Sequence, residues 1–141
     1  MVSHVARVVV IGRHDQVTAD ICRTLKDCGF EVASVDSLRR IEGLWEQDHN
    51  SILMVVASRP HGDYLSLCRR VRSRTTAPLV VVGCDNDNEE AVVALDAGAD
   101  DYLARPVHPH LMVARLDAVV RRERRGTMSH AIVRQIGRAH V

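Results

Sequence analysis

Apolar and polar positions follow two rhythms along this chain. Short runs read as strands: Arg7–Ile11 before Gly12, continuous, β-branched and expected to be buried on both faces, then Glu31–Val35, Ser51–Ala57, Pro78–Gly83, and Asp101–Ala104 before Pro106. The third run is the most apolar and is expected at the centre of a sheet. Between the runs, apolar residues recur at helical spacing. Val17, Ile21, Cys22, Leu25 and Cys28 predict a helix over Gln16–Cys28 that Gly29 stops. Leu38, Ile41, Leu44 and Trp45 predict a short helix over Ser37–Glu46, with Asp36 or Ser37 as its cap. Leu65, Leu67, Cys68 and Val71 mark a helix over Tyr64–Arg72. Glu89–Ala97 carries acids in its first turn and Gly98 just past its end, as the helix dipole and the C-cap favour. A last helix, with Leu111, Met112, Leu116, Val119 and Val120 on one side, runs from Pro109 to about Arg125.

Strand and helix thus alternate five times with short connections. The expected fold class is α/β: a doubly wound, five-stranded parallel sheet, (βα)5, in a three-layer sandwich with right-handed crossovers. Sites in such sheets lie at the carboxyl ends of the strands. Those ends are Gly12-Arg13-His14, Val56-Ala57-Ser58, Gly83-Cys84 and Ala104-Arg105-Pro106.

Composition narrows the classes. The chain has 141 residues, 46% apolar and 26% charged, with a net charge of +1. That suits one folded domain and excludes a disordered chain or a wholly basic nucleic-acid binder. No apolar run approaches the ~20 residues of a membrane span, and the start lacks a signal-peptide core, so a cytoplasmic protein without membrane contact is expected. Cys22, Cys28, Cys68 and Cys84 form no CxxC pair and read as free thiols. His108 and His110 are the closest histidines, too weak a pattern for a metal, so neither metal nor cofactor is expected.

Gly98-Ala-Asp-Asp-Tyr-Leu-Ala-Arg-Pro106 is very close to the GADDYLxKP signature of bacterial response-regulator receiver domains of the OmpR/PhoB subfamily. Gly29-Phe30, Pro60, Leu67-Cys68-Arg69-Arg70, Pro78 and the segment Leu111–Arg122 also stand at that family's spacing. The chain therefore resembles a receiver, with the flavodoxin-like, CheY-like fold, from about Arg7 to Arg125. In that family a histidine kinase's phosphoryl group passes to an Asp at the end of the third strand. An acidic pair after the first strand holds Mg²⁺, and a Thr or Ser after the fourth and a Lys after the fifth contact the phosphoryl oxygens.

The resemblance departs at nearly every one of those positions. Val56 stands at the phosphoacceptor position, Gly12 and Arg13 at the acidic pair, Gly83 at the Thr/Ser and Arg105 at the Lys. Tyr102 alone, the family's switch aromatic, matches outright. No acidic residue lies between Asn50 and Gly62, and Asp15 reaches at best the pocket rim. The plain reading of Val56 is an extension of the core, and of Arg105 a surface cation paired to Asp15 or Asp85. A sharper reading gathers Arg13, His14 and Arg105 into a basic pocket for an anion.

The resemblance implies a homodimer through the face made by the fourth helix, the fifth strand and the last helix. Asp100, Asp101, Arg115 and Arg122 resemble the subfamily's ionic contacts. Leu111 stands where an acid is usual, and Ala91 where a base is common. Residues 1–125 are read as the receiver and 126–141 as a linker into a winged-helix DNA-binding domain of which only the start is present. Ile136–Val141 matches the translation of a sequencing adapter. The expected function is that of a non-enzymatic receiver, the regulatory part of an OmpR/PhoB-like transcriptional regulator in a two-component system, acting independently of phosphorylation. Its partners would be a second copy, DNA only through the missing domain, and a histidine kinase or other protein. The alternative is a stand-alone pseudo-receiver that binds a protein or a small ligand.

Overall fold

The computed structural model describes residues 7–36, 51–59, 62–84 and 86–122. The helix expected over Ser37–Glu46, the tail 126–141 and Asp85 lie outside them. The strands are β1 (Arg7–Ile11), β2 (Glu31–Val35), β3 (Ser51–Val56), β4 (Leu79–Gly83) and β5 (Asp101–Ala104). The described helices are α1 (Gln16–Asp27), α2 (Tyr64–Arg74), α3 (Asn88–Asp96) and α4, helical from 109 to the last described residue, 122. All strands pair in parallel in the order β2-β1-β3-β4-β5, which puts the most apolar strand at the centre. Each strand except β5 connects to its successor as a parallel crossover, and the order reverses after β2, so the chain winds both ways from β1.

Both faces of the sheet are covered, which is why its inner strands read as continuous apolar runs. Alternate residues sort to opposite sides. Val9, Ile11, Leu53, Val55, Leu79 and Val81 pack with Tyr64, Cys68 and Val71 of α2 and Ala94 of α3. Val8, Val10, Ile52, Met54, Val80 and Val82 pack with Ile21 and Leu25 of α1 and Met112, Leu116 and Val119 of α4.

Caps set the helix ends. Asp15 caps α1, its carboxylate accepting from the Thr18 N–H at 2.9 Å, and Asp87 caps α3 through the Glu89 N–H at 2.9 Å. Gly29 (φ 97°) and Gly98 (φ 119°) take the left-handed turns that close α1 and α3. Helix α2 runs two residues past the expected Arg72 because nothing interrupts it before Thr75, which is extended (φ −151°, ψ 151°) ahead of Pro78.

Arg72 then ties three elements together. Its Nε donates to the Gly98 carbonyl (2.9 Å), Nη1 to the Ala77 carbonyl (3.0 Å) and Nη2 to the Asp100 carboxylate (2.8 Å). The same Asp100 oxygen accepts from the Leu79 N–H at 2.8 Å. The end of α2, the start of β4 and the turn into β5 are thereby held in register.

Candidate functional site

The parallel sheet brings the expected strand ends together along one edge. Val56 ends β3 opposite Val82 of β4, and Gly83 stands opposite Ala104 of β5. Val56 is 8% exposed and belongs to the apolar cluster with Val82, Leu103 and Met112. The end of the central strand therefore offers a hydrocarbon wall, which can neither accept a phosphoryl group nor ligate a cation.

Arg105 is the main departure from expectation. Its guanidinium turns inward across the strand ends: Nη1 donates to the Ala57 carbonyl at 2.7 Å, and Nη2 lies 3.1 Å from the Cys84 Sγ. It forms no ion pair with Asp15, which is occupied in capping α1. The Ala57 carbonyl leaves the end of β3 with no strand partner on that side. A charged donor satisfies it more strongly than a neutral one would. The Asp15 carboxyl is held below its ordinary value by the Thr18 N–H first, and then by the positive charges of Arg105 and Arg13.

The anion pocket of Arg13, His14 and Arg105 is therefore not assembled. Arg105 is committed to Ala57 and Cys84, and the His14 ring pairs with Asp36 at 3.5 Å. Gly12 is closely packed as well: a Cβ there would lie 2.8 Å from the Thr18 hydroxyl and 3.2 Å from the Val56 Cβ. A side chain at the former acidic-pair position would have to displace one of them.

Tyr102 fills the space that a residue with a side chain at position 83 would need. A Cβ on Gly83 would lie 1.9 Å from the Tyr102 hydroxyl oxygen and 2.2 Å from its Cζ. The ring therefore lies directly against the bare Cα. Beyond it, α2 and α3 bury two further polar side chains that the pattern of apolar positions did not single out, Tyr64 (7% exposed) and Glu90 (2% exposed). Burial pushes the Tyr64 phenol well above its ordinary range, and the Glu90 carboxylate beside it pushes the same way. Burial likewise raises the Cys68 thiol to about 11, so it is an inert core residue.

On the face flanking β5, Arg115 Nη1 lies 3.3 Å from both Asp101 oxygens within the chain. Leu111 is exposed on α4, as are Val92 and Leu95 on α3, and Arg122 is exposed at the last described position. Asp100 is different, because its carboxylate is already engaged by Arg72 and Leu79. Among the described residues no three potential metal ligands cluster, and no helix is long and apolar enough to cross a membrane.

Comparison with known proteins places this geometry. The family model described as the response regulator receiver domain matches residues 8–117. The transcriptional regulatory protein CseB of Streptomyces coelicolor is 37% identical over 95 residues, which is 67% of this chain and 40% of that protein. The chain thus spans about two fifths of the length of such curated relatives. The BeF3-activated N-terminal receiver domain of Klebsiella pneumoniae RstA superposes with a TM-score of 0.68 at 22% identity, covering 82% of this chain and 98% of that one. An atypical orphan response regulator, whose structure is described as revealing a phosphorylation-independent regulatory mechanism, superposes with a TM-score of 0.64. It is 28% identical, over 82% of this chain and 95% of that one.

Proposed function

Because this chain belongs to the response regulator receiver family, we propose that it is an atypical receiver that regulates without being phosphorylated, as the N-terminal part of an OmpR/PhoB-like transcriptional regulator. The observation that carries the reading is the end of β3: buried Val56 in place of a nucleophile, with the Arg105 guanidinium on the adjoining Ala57 carbonyl. Phosphoryl transfer needs a carboxylate to accept the group and a divalent ion to neutralise it. Gly12 and Arg13 supply no ligand for that ion, and Arg13 repels it. The identity to an atypical regulator described as phosphorylation-independent, 28%, supports the same reading.

The family's two-state switch couples a hydroxyl after β4 to the aromatic on β5. Here Gly83 has no hydroxyl to move, and the Tyr102 ring occupies the space against it. A ligand can shift an equilibrium only by its differential affinity for two states. With one state packed in place and no phosphoryl chemistry to favour the other, the domain holds a single conformation. Receiver 1–125 followed by a DNA-binding domain accords with relatives that are transcriptional regulators, of which the matched stretch makes up only 40–41%.

The output in this reading is dimerisation through α3, β5 and α4. Leu111, Val92 and Leu95 supply apolar surface there, and Asp101, Arg115 and Arg122 the charges. An exposed ion pair contributes only about 0–1 kcal/mol, so apolar burial must dominate. Sedimentation equilibrium tests this. The expected result is a concentration-dependent dimer that acetyl phosphate and Mg²⁺ do not strengthen, weakened more by Leu111→Glu than by Arg115→Ala. A chain that stays monomeric at high micromolar concentration, or dimerises only with the phosphodonor, contradicts it.

A further inference from the structure

A cleft of about 560 Å³ opens between the carboxyl ends of β1, β2 and β3 and the first turns of α2. It lies beside the strand ends described above, on the side away from Arg105. Three arginines from separate segments line it: Arg13 after β1, Arg59 after β3 and Arg70 on α2. Among the described residues none of their guanidiniums has a hydrogen-bond or ion-pair partner. Arg59 is seated by a bare Cα. A Cβ on Gly62 would lie 3.2 Å from the Arg59 Cγ and 3.6 Å from its Nε, so glycine there lets the side chain fold over the loop. Two carboxylates also reach the cleft. Asp36 pairs with His14, and Asp63 stands at the start of α2 without capping it. Buried Ile11, Val55 and Val56 give the cleft an apolar wall.

Three like charges around one concavity repel each other, and each flexible side chain resists being held there. A ligand with several anionic oxygens turns that repulsion into attraction, because guanidinium forks bind phosphate oxygens in pairs. The apolar wall suits a carbon skeleton attached to the phosphate, and the volume lies within the range of small-molecule sites. The rim carboxylates can accept hydrogen bonds from ligand hydroxyl or amino groups.

We propose that this cleft binds a small organic phosphate, held by Arg13, Arg59 and Arg70. The proposal deepens the reading above, on which it rests only for the claim that phosphoryl transfer is not the chemistry of this end of the sheet. The site itself stands on the three arginines alone. Titration calorimetry with pyrophosphate, adenosine monophosphate and adenosine, at low salt and in EDTA, tests it on the full chain. The expected result is one saturable site for each of the two phosphates and none for adenosine. The double variant Arg59→Ala/Arg70→Ala should weaken it by about tenfold or more, since it removes two of three charge-assisted contacts. Arg69→Ala, which removes one charge from α2 outside the cleft, should leave it unchanged. No saturable heat, equal binding by the double variant, or an equal loss in Arg69→Ala would overturn the proposal. Chelation separates the two claims: a covalent phosphoadduct formed with Mg²⁺ would refute the phosphorylation-independent reading while leaving the site's binding result standing.

Discussion

Replacing Gly83 with alanine probes the packing on which the single-state account depends. Position 83 lies in regular strand without a left-handed φ, so alanine meets no backbone objection there. In a strand free of steric conflict, Gly→Ala stabilises by about 0.4–1 kcal/mol, mainly by restricting the unfolded chain. Here the new Cβ would sit 1.9, 2.2 and 2.4 Å from three atoms of the Tyr102 ring, against roughly 3.5–4.0 Å for a comfortable contact. The ring must retreat by well over 1 Å or swing outward and lose its packing on the α2–α3 side. Overpacking of this kind costs about 1–3 kcal/mol, so the net effect is a loss of about 1–2 kcal/mol and a Tm lowered by roughly 3–8 °C. In a Tyr102→Ala background the obstacle is gone, and the same substitution should stabilise slightly. Urea unfolding of the four proteins, followed by circular dichroism, gives the coupling energy, expected at about 1.5–3 kcal/mol. A Gly83→Ala protein as stable as the parent, with no coupling to position 102, would refute the claim that Tyr102 is packed against Gly83.

Two further outcomes follow from specific contacts. Arg72→Ala should cost about 2–3 kcal/mol in chemical denaturation, because it strips the Gly98 and Ala77 carbonyls of a charged donor. Arg72→Lys should recover only part of that, since a single ammonium cannot replace a fork reaching Gly98, Thr75, Ala77 and Asp100. Asp15→Ala should cost about 0.5–2 kcal/mol at neutral pH through loss of the α1 cap. The Asp15 carboxyl is depressed in the folded state, so its contribution is present above the ordinary value of 3.8 and is lost as pH falls through the lower folded value. The difference in Tm between the two proteins should therefore narrow as the pH is taken below 3.8.

The inner strands β1, β3 and β4 were legible because both their faces are buried, so their residues had to be apolar with little interruption. Ser51–Val56 shows this most clearly, six residues all buried. Helix ends marked by Gly29 and Gly98 were legible because a helix closing through a left-handed φ favours glycine, and both take one. The vacant chemistry at Val56, Gly12 and Gly83 was visible as residue types that cannot do the work. What the residues around them do instead was not visible. Nothing in spacing says that Arg105 bends back to the Ala57 carbonyl, because a long side chain's partner depends on which strand ends lie side by side. Glu90 read as a first-turn acid suited to the helix dipole, yet α3 turns it into the interior beside Tyr64. Arg59 and Arg70 passed as ordinary surface charges; only folding brings them to the cleft that Arg13 shares.

Intact-mass analysis after incubation with acetyl phosphate or phosphoramidate and Mg²⁺ addresses the central claim most directly. With Val56 at the end of β3 and Gly12 and Arg13 where metal ligands would stand, the mass should remain that of the unmodified chain under conditions that phosphorylate an ordinary receiver to near completion. A stoichiometric gain of one phosphoryl group that hydroxylamine removes would mean that a carboxylate of this chain accepts phosphate, and the account would be wrong.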